Sequence, residues 1–263
     1  MNQKKWLSVL IEASSNVERN VRNTKNKVHD IHINELKELL DQAAQEAILS
    51  VLRKYNIEAQ IVSEEGDLIL GDKDFTVVLD PIDGTTNMAR NLRPSVTSLA
   101  VSENSNTSGL SVGVIKNLYT GDLFHAIRNH GAWLNFKRIK TAEPTSFKKS
   151  IVSMDISKKP ELEVIKNIVN ESDHIRELGC SAMSLSYIAS GSMDLHLDIR
   201  GTLRVTDVAA GLLILKEAGG AYAIDGDLFG NINLERHTKL ELVAASSNRV
   251  LQEALKIIYG KES

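Results

Sequence analysis

The stretch VVLDPIDGTTN, residues 77–87, places two carboxylates and two hydroxyls directly after a run of apolar β-branched residues. The proline between the aspartates removes a backbone donor, so strand pairing is expected to stop there and the chain to turn. Asp80 and Asp83 can then point to the same side, and Gly84 leaves room for a ligand near the following amides. The stretch offers a carboxylate pair for a hard cation and, if a helix begins there, free N–H groups for phosphate.

Two further acidic segments favour chemistry over an ordinary turn, although Asp, Pro and Gly are also common in turns for conformational reasons. SEEG, residues 63–66, ends another predicted strand with Glu64 and Glu65, and Asp207 stands at the start of a predicted helix. Open α/β folds build sites from groups at the ends of their elements. All-oxygen ligation of this kind suits Mg²⁺, or alternatively Mn²⁺, rather than zinc.

The periodicity of the sequence predicts the elements that position these residues. Apolar residues at helical spacing predict a first helix around Trp6–Val21 and a second around Leu36–Tyr55, which includes Asp41. From about residue 59 the alternation predicts a series of strands, and after about residue 150 strands and helices alternate. The pattern predicts Thr206 as the N-cap and Gly219 as the stop of one of these helices.

This order predicts an α/β (α+β) protein built from two layered halves. The N-terminal half, residues 1–145, carries the candidate metal and phosphate motifs, and the C-terminal half, residues 146–263, carries Asp207. A length of 263 residues suits one compact catalytic unit with a cleft at the junction of its halves.

The composition excludes several classes of protein. Apolar residues make up 42% and charged residues 25%, which is typical of a folded soluble domain. The apolar runs are too short for a membrane span, so we expect a cytoplasmic protein with no membrane partner. The net charge of −3 argues against nucleic acid as the main partner. The single cysteine excludes an internal disulfide framework and agrees with a reducing compartment.

Three segments in this order resemble the signature segments of the inositol monophosphatase family: SEEG at 63–66, DPIDGTTN at 80–87 and VTDVAAGLLILKEAGG at 205–220. The likeness is greatest to the archaeal members that also hydrolyse fructose 1,6-bisphosphate, and it covers most of the chain. It implies a layered α/β/α/β/α sandwich of the sugar phosphatase type, usually a homodimer. It also implies magnesium-dependent hydrolysis of phosphate monoesters, with two or three ions in each site.

The resemblance also implies roles for individual residues, matched motif by motif. The metal ligands it implies are Glu64, Asp80, Asp83, Asp207 and the carbonyl of Ile82. Catalytic roles fall to Asp41, Glu64 and Thr85, with Asp41 and Thr85 orienting and deprotonating the attacking water. The substrate-binding residues it implies are Asp83, Gly84, Thr85, Arg176, Ser181, Asp198, Arg200 and Arg204.

Some positions depart from the family pattern or leave alternatives open. Asp41 follows a helical pattern where the family generally has an extended stretch. Arg90 and Arg93 stand where aromatic, His or Gly residues are usual, and they either add positive charge at the mouth of the site or face solvent. Arg200 and Arg204 either bind a second phosphate or form a solvated basic loop.

The leading functional hypothesis is a Mg²⁺-dependent phosphatase of sugar phosphates, acting on fructose 1,6-bisphosphate, inositol 1-phosphate or both. An alternative within the enzymes is a 3′(2′),5′-bisphosphate nucleotidase or an NADP phosphatase, although adenine needs a stacking surface that a chain with 5% aromatic residues does not obviously offer. The non-enzyme alternative is a silent regulator that binds metal or phosphate.

Overall fold

A computed structural model of the chain describes residues 1–28, 30–71, 75–142, 147–157 and 162–260. Its helices are α1 (Gln3–Lys27), α2 (Ile33–Lys54), α3 (Thr85–Ala89), α4 (Leu162–Glu171), α5 (Ser181–Ala189), α6 (Val205–Glu217) and α7 (Asn248–Tyr259). Short 3₁₀ turns lie at Thr107–Gly109 and Phe147–Lys149.

The strands form two sheets. The first sheet, in the order β2-β1-β3-β4-β5-β6-β7-β8, contains β1 (Ala59–Ser63), β2 (Leu68–Leu70), β3 (Thr76–Asp83), β4 (Val96–Ser102), β5 (Leu110–Asn117), β6 (Leu123–Ile127), β7 (Ala132–Leu134) and β8 (Lys137–Ile139). The second, in the order β10-β9-β11-β14-β12-β13, contains β9 (Ile151–Met154), β10 (His174–Arg176), β11 (Leu195–Arg204), β12 (Ala221–Ile224), β13 (Asp227–Leu228) and β14 (Lys239–Ala245).

Alternating apolar residues sort these elements into five layers. On β3, Val77 and Leu79 pack against α1 and α2, while Val78 on the opposite face packs against α5 and α6. Helices α5 and α6 are apolar nearly all round because the second sheet covers their other side. The outer face of the second sheet packs against α4 and α7. The α/β/α/β/α sandwich expected from the sequence is confirmed.

The two halves share a hydrophobic core although each has its own sheet. Helices α5 and α6 belong to the second half of the chain, and they pack on the first sheet as well as the second. Gly113 on β5 permits this approach, because an added Cβ would lie 3.0 Å from the carbonyl oxygen of Ala210 on α6. The expected boundary near residue 145 lies outside the described residues, within 143–146.

Two details of the predicted elements are wrong. Thr206 is not the N-cap of α6, because β11 runs on to Arg204, which takes the cap position with an extended backbone. Strand pairing also does not stop at Pro81; it shifts register and resumes at Asp83. The prediction that Gly219 ends α6 is confirmed, since Gly219 follows the C-cap residue Ala218 with a φ of +96°. None of the described helices is long and apolar enough to cross a membrane.

Candidate metal centre and active site

The end of β3 turns two carboxylates toward the same face of the sheet. Its pairing with β4 matches Asp80 to Ser98 and then Asp83 to Val96, so β3 holds one extra residue between these pairs. A bulge of one residue reverses the side-chain alternation beyond it. In a regular strand, Asp83 and Asp80 would lie on opposite faces of the sheet. Because of the bulge, both side chains lie on the same face.

Two other elements bring carboxylates to Asp80. Glu64 follows β1, which pairs in parallel with β3 and therefore ends at the same edge of the sheet. Asp207 lies in the first turn of α6, where its Oδ2 accepts a hydrogen bond of 3.2 Å from the backbone N–H of Arg204. Carboxylate oxygens of Glu64, Asp80 and Asp207 all lie within 4.8 Å of one another. The structure thus brings three of the four predicted carboxylate ligands into one cluster.

The fourth predicted carboxylate, Asp83, lies beside this cluster on the wall of a cleft. Its Oδ2 accepts a hydrogen bond of 2.7 Å from the backbone N–H of Ala182 at the start of α5. The carbonyl of Ile82, also a predicted ligand, accepts a bond of 2.9 Å from the hydroxyl of Thr85. A carbonyl oxygen has two lone pairs, so this bond leaves it able to accept again.

The cluster fits a divalent cation on the evidence of its own polar atoms. Asp80 is 2% exposed, and its Oδ1 has no hydrogen-bond partner in the described chain. A buried, unpaired carboxylate oxygen is costly unless a cation binds it. Burial and the neighbouring carboxylates raise the pKa values of Asp80 and Asp83 well above the usual range, and burial raises the pKa of Asp207 to about 6. These oxygens are hard donors of the kind Mg²⁺ and Mn²⁺ prefer.

Two arginines contact Glu64, one through its carboxylate and one through its backbone. The guanidinium of Arg204 forms an ion pair with the carboxylate of Glu64, and Nε of Arg236 donates to the Glu64 backbone carbonyl at 3.0 Å. Arg204 follows the second bulge of the site, the register shift in β11 between Asp198 and Leu203. A cation of the chain itself therefore already offsets part of the negative charge.

Asp41 and Thr85 form a pair next to the cluster. The Thr85 hydroxyl lies 3.2 Å from Oδ1 of Asp41, which stands within α2 rather than on an extended segment. Burial, with the charges of Glu65 and Glu64 adding to it, raises the pKa of Asp41 to about 7. A carboxylate with a pKa near neutrality can accept a proton at physiological pH and release it again.

Gly84 links the carboxylates at the end of β3 to α3. It is the N-cap residue of α3 and has a φ of 86° and a ψ of 39°, in the left-handed region. An added Cβ would lie 3.1 Å from the carbonyl oxygen of Pro94 and 3.3 Å from Oγ of Ser95. Both the backbone conformation and the close packing require glycine here, which sets the position of Thr85.

A cleft of about 610 Å³ adjoins the cluster. Four of the predicted substrate residues line it, namely Asp83, Ser181, Arg200 and Arg204, together with Asp155, Ser157 and Lys239, which were not predicted. Asp155 follows the end of β9, so the rule that identified Glu64, an acidic residue at a strand end, would also have found it.

Lys37 is a further residue near the site that was not predicted. It lies on α2 one helical turn before Asp41, and its Nζ donates to the Thr86 hydroxyl at 3.1 Å.

Two predicted substrate residues lie away from the cleft wall. Asp198 is fully buried, and Arg200 occupies both its oxygens, through Nε to Oδ1 at 2.8 Å and through Nη2 to Oδ2. Arg176 is exposed on β10, an edge strand, with its Nη1 on the neighbouring carbonyl of Ile175. Arg90 and Arg93 are not among the residues that line this cleft; both are exposed, and Arg93 stacks over the Tyr119 ring at 5.2 Å.

The fold and this geometry define a class, that of layered α/β proteins in which a cluster of carboxylates suited to a divalent cation lies beside a cleft. The profile of the inositol monophosphatase family matches residues 2–258. The chain belongs to the inositol monophosphatase family.

Relatives of the chain cover nearly its whole length. It is 31% identical to the fructose-1,6-bisphosphatase/inositol-1-monophosphatase of Methanothermobacter thermautotrophicus, over 95% of each chain. It is also 31% identical to the Nus factor SuhB of Escherichia coli, over 85% of this chain and 86% of the relative. A Pyrococcus horikoshii structure described as having similarities to inositol-1 monophosphatase superposes with a TM-score of 0.82 at 28% identity, covering 98% of this chain and 99% of the other.

Proposed function

We propose that the chain is a Mg²⁺-dependent hydrolase of phosphate monoesters that acts on sugar phosphates, namely fructose 1,6-bisphosphate, inositol 1-phosphate or both. The observation that carries this proposal is the convergence of Glu64, Asp80 and Asp207 next to the Thr85–Asp41 pair. The archaeal relative named above, whose name includes both activities, supports the choice of substrates.

In this proposal, the metal ions would be held by four carboxylates and one carbonyl, those of Glu64, Asp80, Asp83, Asp207 and Ile82 respectively. When bound, a divalent cation supplies positive charge that polarises the phosphate and lowers the pKa of water. The Thr85 hydroxyl, held between Asp41 and the Ile82 carbonyl, orients the attacking water, and the Asp41 carboxylate receives the proton. Gly84 keeps the backbone amides at the start of α3 open to the phosphate oxygens.

The cleft supports a preference for substrates with a second anionic group. Lys239 and Arg204 stand side by side in the β11–β14 ladder, and both line the cleft. Arg200 has little free charge to offer, because Asp198 and Ser157 occupy its guanidinium. A second phosphate would therefore bind near Lys239 rather than at Arg200, since Arg204 is also paired, with Glu64.

The alternatives have weaker support. Among the described residues that line the cleft, none is aromatic, which disfavours stacking of the adenine of a bisphosphate nucleotide. A silent regulator has some support from the likeness to the Nus factor SuhB. A regulator would have no need of the Thr85–Asp41 pair, which is suited to proton transfer.

Phosphate release tests the proposal on inositol 1-phosphate, fructose 1,6-bisphosphate and adenosine 3′,5′-bisphosphate, with Mg²⁺ added or withheld. Turnover of the sugar phosphates should require Mg²⁺. Asp83→Asn should lower it by at least about 100-fold, because even outer-shell partners of metal ligands cost about 10- to 100-fold. Asp227→Asn, at an exposed position on β13, is the matched control and should retain full activity. Metal-independent turnover, or an Asp83→Asn variant as active as the wild type, would contradict the proposal.

We extend the proposal to a cytoplasmic homodimer. A dimer is usual in the family that the chain belongs to, and a single buried cysteine suits a reducing compartment. The molar mass from light scattering should be twice the 29.0 kDa of the chain.

A further inference from the structure

The cleft that adjoins the acidic cluster carries on its wall a carboxylate, Asp155, that the proposed chemistry does not use. The geometry points to Asp155, with Ser181, as the group that binds free hydroxyls of the sugar or polyol part of the substrate. This inference rests on the proposed function and names the feature of the substrate that the same site selects.

Asp155 is held in place and still has hydrogen-bonding capacity. Its backbone N–H donates to the Leu197 carbonyl at 3.2 Å, which fixes the residue at the end of β9. Its Oδ2 accepts a hydrogen bond of 3.3 Å from Oγ of Ser181, the one donor to this carboxylate among the described residues. An ionised carboxylate has about four acceptor sites, so Asp155 can accept from substrate hydroxyls in the cleft.

The start of α5 connects Asp155 to the metal cluster. Ser181 bonds to Asp155, while the next residue, Ala182, donates its backbone N–H to Asp83. Two consecutive residues thus set the spacing between the proposed phosphate side of the cleft and Asp155. A phosphate held beside Asp83 would place the carbon skeleton of its ester along this wall.

The family resemblance implies Asp198 as the acidic residue that binds a sugar hydroxyl, but in the structure Asp198 is paired with Arg200. Its side chain is fully buried, and Arg200 occupies both carboxylate oxygens. A substrate hydroxyl could reach it only by displacing a buried ion pair, which would leave the guanidinium unpaired. Asp155 lines the cleft and needs no such rearrangement.

The chemistry of Asp155 also defines what it excludes. A carboxylate accepts hydrogen bonds from hydroxyls and repels a phosphate, so the preferred substrate carries free hydroxyls on the carbons near the ester. A second phosphate would be directed away from Asp155, toward Lys239. The substrate class is therefore a phosphorylated polyol or sugar rather than a phosphate ester in general.

Comparison of two substrates in the Asp155→Asn variant tests this inference. Inositol 1-phosphate offers hydroxyls, whereas p-nitrophenyl phosphate has none. Loss of hydrogen bonds to a charged acceptor should lower kcat/KM on inositol 1-phosphate by about 10- to 100-fold. The value on p-nitrophenyl phosphate should stay within about twofold of wild type, because that ester makes no such bonds. Equal losses on both substrates, or no loss on either, would overturn the inference.

Two further measurements separate a binding role from a structural one. Ser181→Ala should repeat the selective loss to a smaller extent. Asp198→Asn, the matched control, should lower the melting temperature and affect both substrates alike, since it breaks a buried ion pair.

A binding experiment distinguishes failure of this inference from failure of the proposed function. If the wild-type protein turns over neither ester, calorimetry with inositol 1-phosphate and with inorganic phosphate replaces the kinetic assay. The Asp155→Asn change should then weaken binding of inositol 1-phosphate about 10- to 100-fold and leave inorganic phosphate unchanged. Equal binding of inositol 1-phosphate by variant and wild type would overturn the role of Asp155 even in an inactive protein.

Discussion

The acidic cluster of Glu64, Asp80 and Asp207 pairs one of its carboxylates with an arginine of the same chain. Arg204 contacts Glu64, and the nearby carboxylates of Asp207 and Asp80 add to the attraction. A divalent cation and a guanidinium would compete for the same oxygens of Glu64. Arg204 should therefore weaken metal binding while it stabilises the metal-free protein.

Replacing this arginine should make metal binding tighter. The ion pair is partly exposed, with 41% of the Arg204 side chain and 28% of the Glu64 side chain accessible. It therefore stabilises the metal-free protein by at most about 1 kcal/mol. Arg204→Gln should then tighten Mg²⁺ binding by up to about fivefold, measured by titration calorimetry. Arg22→Gln, which removes an exposed ion pair with Glu18 on α1, is the matched control and should not change the affinity. Weaker Mg²⁺ binding in Arg204→Gln would show that Arg204 supports the site rather than competing for it.

At the scale of elements, the site depends on irregular points where strands and helices meet. The bulge at the end of β3 turns Asp83 to the face of Asp80, and the left-handed Gly84 then starts α3. Regular continuation of β3 would separate the two carboxylates onto opposite faces.

Two glycines with nearly the same positive φ allow this dependence to be measured. Gly84 has a φ of +86° with atoms of Pro94 and Ser95 close by, whereas Gly226 has a φ of +84° and no atom within 4 Å of an added Cβ. Gly226→Ala should lower the free energy of unfolding by about 1–2 kcal/mol, the cost of a left-handed alanine. Gly84→Ala should cost more because of the added contacts, and it alone should lower phosphatase activity, by about 100-fold if Thr85 moves by 1 Å. If urea unfolding showed the same loss in free energy of unfolding for Gly84→Ala and Gly226→Ala, the close packing around Gly84 would not contribute to stability.

The regular part of these elements was predictable, whereas the irregular part was not. Periodicity predicted α1, α2 and the long strands, because their apolar faces pack on the sheets. The bulges in β3 and β11 leave no signal in composition, since they depend on the register with neighbouring strands. The β11 bulge precedes Arg204 at the N-cap of α6, and Arg200 in the same connection binds Asp198 instead of leaving it open to the cleft. The family motif therefore predicted Asp198 as a substrate-binding residue, because the motif does not show that Arg200 occupies its carboxylate. The structure places Asp155 on the cleft wall instead.

Considered as a whole molecule, the protein concentrates acidic side chains where its halves meet. The shared core of α5 and α6 holds the N-terminal sheet and the C-terminal sheet together, which fixes the backbone positions of Asp80, Asp83 and Asp207 close to one another. Burial and mutual repulsion accordingly raise the pKa values of four acidic groups, Asp41, Asp80, Asp83 and Asp207. Metal binding and stability should therefore be linked through pH.

The direction of this linkage follows from the raised pKa values. Asp207 has an ordinary value of 3.8 and a folded value of about 6, and Asp41 has a folded value of about 7. Between about pH 4 and pH 7 the folded protein therefore binds more protons than the unfolded chain. The free energy of unfolding of the metal-free protein should fall as pH rises through that window, on the order of 2–3 kcal/mol for Asp207 alone.

Magnesium should reverse this trend, because it binds the ionised carboxylates and its binding to the folded state adds stability. In melting experiments, protein treated with chelator should be more stable at pH 5 than at pH 8, and excess Mg²⁺ should raise the melting temperature much more at pH 8 than at pH 5. The Asp207→Asn variant is the control: without this titrating group, its metal-free melting temperature should fall less between pH 5 and pH 8 than that of the wild type. The prediction would be contradicted if the metal-free protein became more stable from pH 5 to pH 8 and Mg²⁺ raised the melting temperature equally at both pH values. Repulsion among the carboxylates would then not destabilise the folded protein, and Mg²⁺ would not offset it.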